Sequence, residues 1–159
     1  MRKISVKELN DRDFKQYGRF CSVTEPSGNH FGTFYADNIP YAASAGAPIT
    51  FSPLVCGKSE KMVVSGVEYH NYAFEGIVPI DDDVVIHVAP PSKGPVPELT
   101  EAFLVPKGTA VVLKPGVWHE APMPVDHDAH VLIILPERTY QNDCVYVNYS
   151  DEDAMEIAL

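Results

Sequence analysis

An all-β fold, mainly antiparallel and either sandwiched or closed into a barrel, follows from three features of this 159-residue chain. From Lys61 onward, "KMVVSGVEYH", "FEGIVPI", "DVVIHVAP", "EAFLVP", "TAVVLK" and "HVLIILP" succeed one another as short apolar or alternating runs, each bounded by Gly, Pro or Asp. The gaps between them are too short for crossover helices, so neighbouring strands should run antiparallel. Fourteen prolines suit turns and strand edges better than helix interiors.

Taken in order, "SVKELNDRDFKQYG" predicts a short N-terminal helix. Ser5 and Glu8 have capping-box spacing, Leu9, Phe14 and Tyr17 fall on one side, and Gly18 ends it. Residues 20 to 60 are rich in Gly, Pro, Ser and Ala, which predicts turns and short extended pieces. The strand region follows from residue 61. "YSDEDAMEIAL" predicts either a capped C-terminal helix from Ser150 or a frayed acidic tail. No composition shift, repeat or low-complexity tract divides the chain, so residues 1–159 are expected to form one domain.

Composition narrows the function classes. A hydrophobic fraction of 45% with 21% charged residues is that of an ordinary globular protein. A formal charge of −10 argues against nucleic acid, whose phosphates need clustered Lys and Arg. No apolar run approaches the roughly 20 residues that span a bilayer, and "MRKISVKELN" lacks the apolar core of a signal peptide, so a cytoplasmic location is expected. Cys21, Cys56 and Cys144 are odd in number and widely spaced, which gives neither a disulfide framework nor a zinc ribbon.

Two segments carry chemistry-bearing residues on apolar strands. In "GVEYHNYAFEGIVPI", Glu68 and His70 are two apart and share a strand face, with Glu75 beyond a turn. In "GTAVVLKPGVWH", Pro115-Gly116 turns the chain and His119 follows. Residues two apart aim at one interior point, and a partner strand adds further ligands. The mixed imidazole and carboxylate set suits a divalent transition metal. Asp81-Asp82-Asp83 lacks EF-hand spacing and reads as a solvated turn. His87 reads as a structural residue, His127 and His130 as members of a polar hairpin loop, and His30 as exposed.

The two segments resemble the paired motifs of the cupin superfamily, H-x-H-x(3,4)-E answered by G-x-x-H, with Glu68 in place of the first His and His70, Glu75 and His119 matching the rest. Strand order sharpens the likeness: "FKQYG" at 14–18, "EYHNYAFEGIVP" at 68–79, "EAFLVP" at 101–106 and "GVWHEAP" at 116–122 make the chain similar to the ureidoglycolate lyase family. The sequence departs from that pattern at Asn71–Phe74, at Glu75 where the family has Gln, and at Glu120 where it usually has His. Arginine is limited to Arg2, Arg12, Arg19 and Arg138, none in a motif strand.

The resemblance implies a cupin-type β-barrel (jelly roll, double-stranded β-helix), a homodimer, and cleavage of the carbinolamide ureidoglycolate to glyoxylate and urea. Proton transfer would fall to His119, His70 and Glu75, with Lys114 attracting an anionic substrate and Tyr72 and Trp118 as further substrate contacts; Trp118 reads as packing that shields the barrel mouth more than as a reacting group. Glu68, His70, Glu75 and His119 form the expected ligand set for a divalent metal ion of unspecified identity. Two other classes fit the same residues: a metal-dependent cupin isomerase or oxygenase on a sugar or small acid, and a non-catalytic metabolite-binding cupin.

Overall fold

The structure is a computed structural model and describes residues 1–43 and 46–159. Two curled sheets form the expected cupin-type barrel. The larger runs in the order Val145–Asn148, Gly66–Tyr69, Trp118–His119, Val84–Ala89, Glu101–Val105, Arg2–Glu8, Met155–Ala158 and Met62–Val64, with Met123–Pro124 also beside Val84–Ala89. The smaller runs Gly18–Ser22, Thr109–Leu113, Glu75–Pro79, Ala129–Pro136 and Ile49–Cys56. Pairing is antiparallel except that Arg2–Glu8 runs parallel to both of its neighbours.

Strand parity divides the apolar residues into two cores. Val84, Ile86 and Val88 point into the barrel, where they meet Ile77, Val111, Leu113 and Val131 of the smaller sheet and the rings of Phe14 and Phe103. Val85 and Ala89 point the other way, against Ala102, Trp118, Val67 and Met155. Every residue of Val84–Ala89 is buried, so this strand is the wall between the cores.

The chain ends differ from the helical expectation. Residues Arg2–Glu8 form a strand in which Ile4 and Val6 are half-buried between exposed neighbours. That period of two overrides the Ser5/Glu8 capping spacing. The helix is only Asp11–Phe14, capped by the Asn10 side chain accepting from the Asp13 amide. At the C-terminus the Ser150 carbonyl accepts from the Asp153 and Ala154 amides in a single turn. Met155–Ala158 then fills the gap between Arg2–Glu8 and Met62–Val64, which rules out a terminal helix there. Within residues 20–60, Ile49–Cys56 is an eight-residue strand despite Pro53, because it is the sheet edge and needs no donor on its free side.

The triple-aspartate turn is a brace and not a solvated loop. Asp82 is buried, and its Oδ2 accepts from the amides of Val125, Asp126 and His127 at 2.9–3.1 Å. Asp81 accepts from the His130 amide and ring, and Asp83 from the Lys107 amide.

His87 sits opposite Ala102 on the second-core face, 0% exposed. Among the described residues neither ring nitrogen has a partner. Burial first, and then the charge of His119, push its pKa down to about 3. The unfolded chain takes up a proton here below about pH 6.5, and the folded chain refuses it until far lower. Stability is therefore full above that point and falls as pH drops toward 3. His87→Leu is expected to raise stability at neutral pH by about 1–3 kcal/mol, because it removes two unpaired buried polar atoms. Urea unfolding at about pH 7.5 and about pH 4.5 checks this: the gain must be larger at the acid pH, and an equal gain at both removes the titration.

Candidate functional site

The two sequence segments are brought together by register and by one turn. In Gly66–Tyr69, Val67 and Tyr69 face the second core, so Glu68 faces the barrel, directly opposite His119 on the neighbouring strand. Glu75 opens Glu75–Pro79 and pairs with Leu113. The chain then reverses at Lys114–Val117: the Val117 amide donates to the Lys114 carbonyl, and Gly116 takes a φ of 81°, as the third position of a type II turn requires. The Gly116 amide donates to the His70 carbonyl at 2.7 Å, so the turn that delivers His119 is docked on the first motif.

Two imidazoles converge on a single carboxylate oxygen. Glu75 Oε2 lies 2.9 Å from His70 Nε2 and 2.9 Å from His119 Nε2. The two imidazole centroids are 5.2 Å apart. One donor atom from each of Glu68, His70, Glu75 and His119 lies within 4.8 Å of the others. His70, Glu75 and His119 are buried, and Glu68 is half-exposed. Among the described residues the four make no ion pair with lysine or arginine.

The opposite nitrogen of each ring decides the chemistry. His70 Nδ1 faces the Asp143 carbonyl at 2.7 Å and His119 Nδ1 faces the Val117 carbonyl at 2.8 Å. A carbonyl only accepts, so both Nδ1 atoms carry hydrogen. A neutral ring then has a lone pair at Nε2, aimed at a carboxylate oxygen. Two lone-pair contacts of that kind repel, unless each ring takes a second proton or a cation lies among the three atoms. The site is therefore built to hold positive charge.

The titration directions agree. Burial alone would raise the Glu75 carboxyl, but the charge and hydrogen bond of His119, and then those of His70, hold it below the usual carboxylate range. Burial alone would lower His119, but Glu75 overrides it and the imidazole is raised. Both Nδ1 atoms are already fixed by backbone carbonyls and both Nε2 atoms face inward, which is how metal-binding histidines are held. The donor set of two imidazoles and two carboxylates fits a divalent ion.

A family model described as ureidoglycolate lyase matches residues 1–156. The chain belongs to that family. Among curated proteins no match is found. Membership in the ureidoglycolate lyase family implies a small-molecule substrate. No described helix is long and apolar enough to cross a membrane.

Three other predicted residues lie apart from the cluster. Trp118 precedes His119 on the strand and so points to the opposite face, where it is buried, packs edge-on against Tyr69 at 4.5 Å and donates from Nε1 to Ser92 Oγ. Its ring packs into the second core, away from the cluster. Lys114 follows Leu113, whose side chain enters the barrel core, and so faces outward; its Nζ donates to the Lys15 carbonyl and it lines a cavity of about 300 Å³ with Lys15 and Arg19. It does not reach the histidines. Tyr72 is 79% exposed, and among the described residues its hydrogen bond is from its amide to Asp143 Oδ2.

The same geometry adds two residues that no motif indicated. Asp143 contacts His70 and the loop after it, and the Cys144 thiol donates to Glu68 Oε2 at 2.8 Å. Burial first, then Glu68, Glu120 and Glu75, push that thiol up to about 12. Their segment, "QNDCV", has no spacing rule that links it to residues 68–75; only the pairing of Val145–Asn148 with Gly66–Tyr69 does so.

Glu75→Gln removes the strongest influence that opposes the burial of His119, leaving the Val117 carbonyl and the Glu68 charge against it. Its imidazole is expected to fall from its raised value toward the ordinary figure of about 6.5. An NMR titration of the histidine rings measures this, and an unmoved His119 would show that Glu75 does not set its charge.

Proposed function

We propose that this family member is a carbon–nitrogen lyase that cleaves ureidoglycolate to glyoxylate and urea at the Glu68–His70–Glu75–His119 cluster. The observation that carries the reading is the pair of Nε2 atoms on one Glu75 oxygen, with both Nδ1 atoms already used on carbonyls. The substrate is a carboxylate, and no lysine or arginine is paired with the cluster among the described residues. Its negative charge needs a cation at the same place.

Glu68, His70, Glu75 and His119 would hold a divalent ion through the two Nε2 atoms and one oxygen of each carboxylate, with the second Glu68 oxygen left for proton transfer. Bound there, such an ion would supply Lewis-acid polarisation of the substrate oxygens and several kcal/mol of stabilisation for a developing alkoxide. An imidazole nitrogen that ligates an ion carries no proton, so proton transfer falls to the carboxylate that is half-exposed. Glu68 takes the substrate hydroxyl proton as the carbonyl of glyoxylate forms. The carbon–nitrogen electron pair leaves with urea, and Glu68 returns the proton to that nitrogen. Positioned acid–base transfer of this kind is worth about 10²- to 10⁴-fold.

The reading takes residues 1–159 as one domain, in the cytoplasm and as a homodimer. The free edge of Ile49–Cys56, with Phe51 and Val55 exposed, supports self-association, and sedimentation of the purified protein measures it.

His70→Ala and His119→Ala should each lose the metal that elemental analysis finds in the wild type. Each should also reduce product formation from ureidoglycolate by at least about 10²-fold. Glyoxylate at no more than the spontaneous rate from the metal-loaded wild type refutes the activity. Undiminished metal in both variants refutes the ligand assignment.

A further inference from the structure

We infer that the Asp143–Cys144 segment is the positioning element of the site: Asp143 fixes the His70 ring and the loop behind it, and Cys144 fixes the Glu68 carboxylate. The inference rests on the reading of Glu68, His70, Glu75 and His119 as the working cluster. It assigns roles to two residues that touch the cluster without belonging to it.

Asp143 is engaged from every polar atom it has. Its amide donates to the Thr139 carbonyl at 2.8 Å, closing the Thr139–Asn142 helical turn. Its carbonyl accepts from His70 Nδ1 at 2.7 Å. Its Oδ1 accepts from the Asn71 amide at 2.7 Å, and its Oδ2 from the Tyr72 and Ala73 amides at 2.9 and 3.0 Å. Three successive amides of the loop between His70 and Glu75 thus close on one carboxylate. Charge-assisted bonds to backbone amides are about twice as strong as neutral ones, so the loop and the Asp143 backbone move as one body. His70 is held at the ring and at the chain that follows it.

Cys144 acts on the other motif residue. Its thiol donates to Glu68 Oε2, one residue along from the contact to His70. Register explains why both contacts come from adjacent residues: Val145 pairs with Tyr69 and Tyr146 with Glu68, so the two residues before that strand lie over the end of the first motif. Glu68 has no other hydrogen-bond donor among the described residues. The carboxylate is the most exposed member of the cluster, and the thiol is what limits its rotation.

A brace that served only to hold a loop would not have to end on the outer nitrogen of a ligand imidazole and on a carboxylate oxygen of the cluster. Outer contacts of this kind fix ring orientation and tautomer, and their loss costs about 10- to 100-fold in metal affinity. The expectation for the full chain is specific. Asp143→Ala and Cys144→Ala weaken binding of Co²⁺ by about 10- to 100-fold. Cys144→Ser, which keeps a donor, restores most of that loss, and Asp143→Asn, which keeps one acceptor oxygen, restores part.

Calorimetry with Co²⁺ measures the affinities, and long-range ¹H–¹⁵N spectra of the histidine rings report the His70 tautomer. Asp143→Ala keeps the carbonyl that accepts from His70 Nδ1 but releases the three loop amides that the carboxylate holds, so the carbonyl is no longer fixed against the ring and the Nδ1-protonated form of His70 gives way to a tautomer mixture. Affinities within twofold of wild type in both alanine variants, or unchanged His70 resonances in Asp143→Ala, overturn the inference. Should the wild type bind no Co²⁺, the metal reading alone fails, and the His70 spectra still decide the role of Asp143. Should Asp143→Ala fail to fold, the contrast between Cys144→Ala and Cys144→Ser decides: equal affinities overturn the inference, and recovery in the serine variant alone supports it.

Discussion

A buried carboxylate oxygen shared by two imidazoles is the constraint on which the rest of this molecule depends. An isolated carboxylate placed inside the barrel would cost several kcal/mol even after relaxation. Glu75 is tolerable there only because positive charge or donated hydrogen meets it from two directions. Those two directions come from segments 44 residues apart in one case and five in the other. The barrel must therefore bring the Lys114–Val117 turn against the end of Gly66–Tyr69 with little slack, and the Gly116 amide on the His70 carbonyl is the bond that does so. A glycine is needed at that point: at a φ of 81° any Cβ is strained, and one built there would also meet the Pro91 ring at 3.2 Å.

Strand parity gives this arrangement its sharpness. On a two-residue strand, Trp118 and His119 face opposite cores; one seals the second core and the other enters the cluster. A slip by one residue would exchange them, putting an indole against Glu75 and an imidazole into an apolar core. The indole hydrogen bond to Ser92 and the pairing of Trp118 with Ala89 and of His119 with Val88 hold the register from both sides. His87, on the wall strand, shows what an imidazole endures on the apolar face, with neither nitrogen partnered among the described residues. His119 and His87, on neighbouring strands, thus shift in opposite directions, set by the face each occupies.

Legibility in the sequence followed the range of the interactions. Period-two alternation, Gly and Pro boundaries and the Glu-x-His and Trp-His pairs are local, and they indicated an antiparallel sheet, sandwiched or closed, and the four cluster residues that the geometry brings together; the choice of a barrel came from the family resemblance. The N-terminal segment was misleading because two codes overlap in it. Ser5 and Glu8 have the spacing of a helix cap, while Ile4 and Val6 alternate, and the unfilled place between Glu101–Val105 and Met155–Ala158 settles the competition in favour of a strand. The last residues are extended for the same reason, seen from the other side of that vacancy. Lys114 shows the limit of proximity in sequence: five residues from His119, it faces outward because the residue before it faces in. Asp143 and Cys144 show the opposite case, since they are 73 and 76 residues from the side chains they touch and nothing in their own neighbourhood announces it.

The charge balance of the chain then acquires a local meaning. A formal charge of −10 spread over a surface promotes solubility, but Glu68, Glu75 and Glu120 all bear on the Cys144 thiol, so part of that charge is gathered at the cluster. Two protonated imidazoles and two carboxylates sum to zero, and so do two neutral imidazoles, two carboxylates and a divalent ion. The cluster is electrically closed in either form, and the exchange of two protons for one ion costs no net charge inside the barrel. Metal affinity that rises with pH is the thermodynamic signature of such an exchange, because the ligands must give up their protons to bind. What differs between the forms is the address of the remaining reactivity. With protons on both Nε2 atoms the acid–base groups are the buried imidazoles; with an ion between them it is the half-exposed Glu68, the one cluster member that a substrate arriving from solvent meets first.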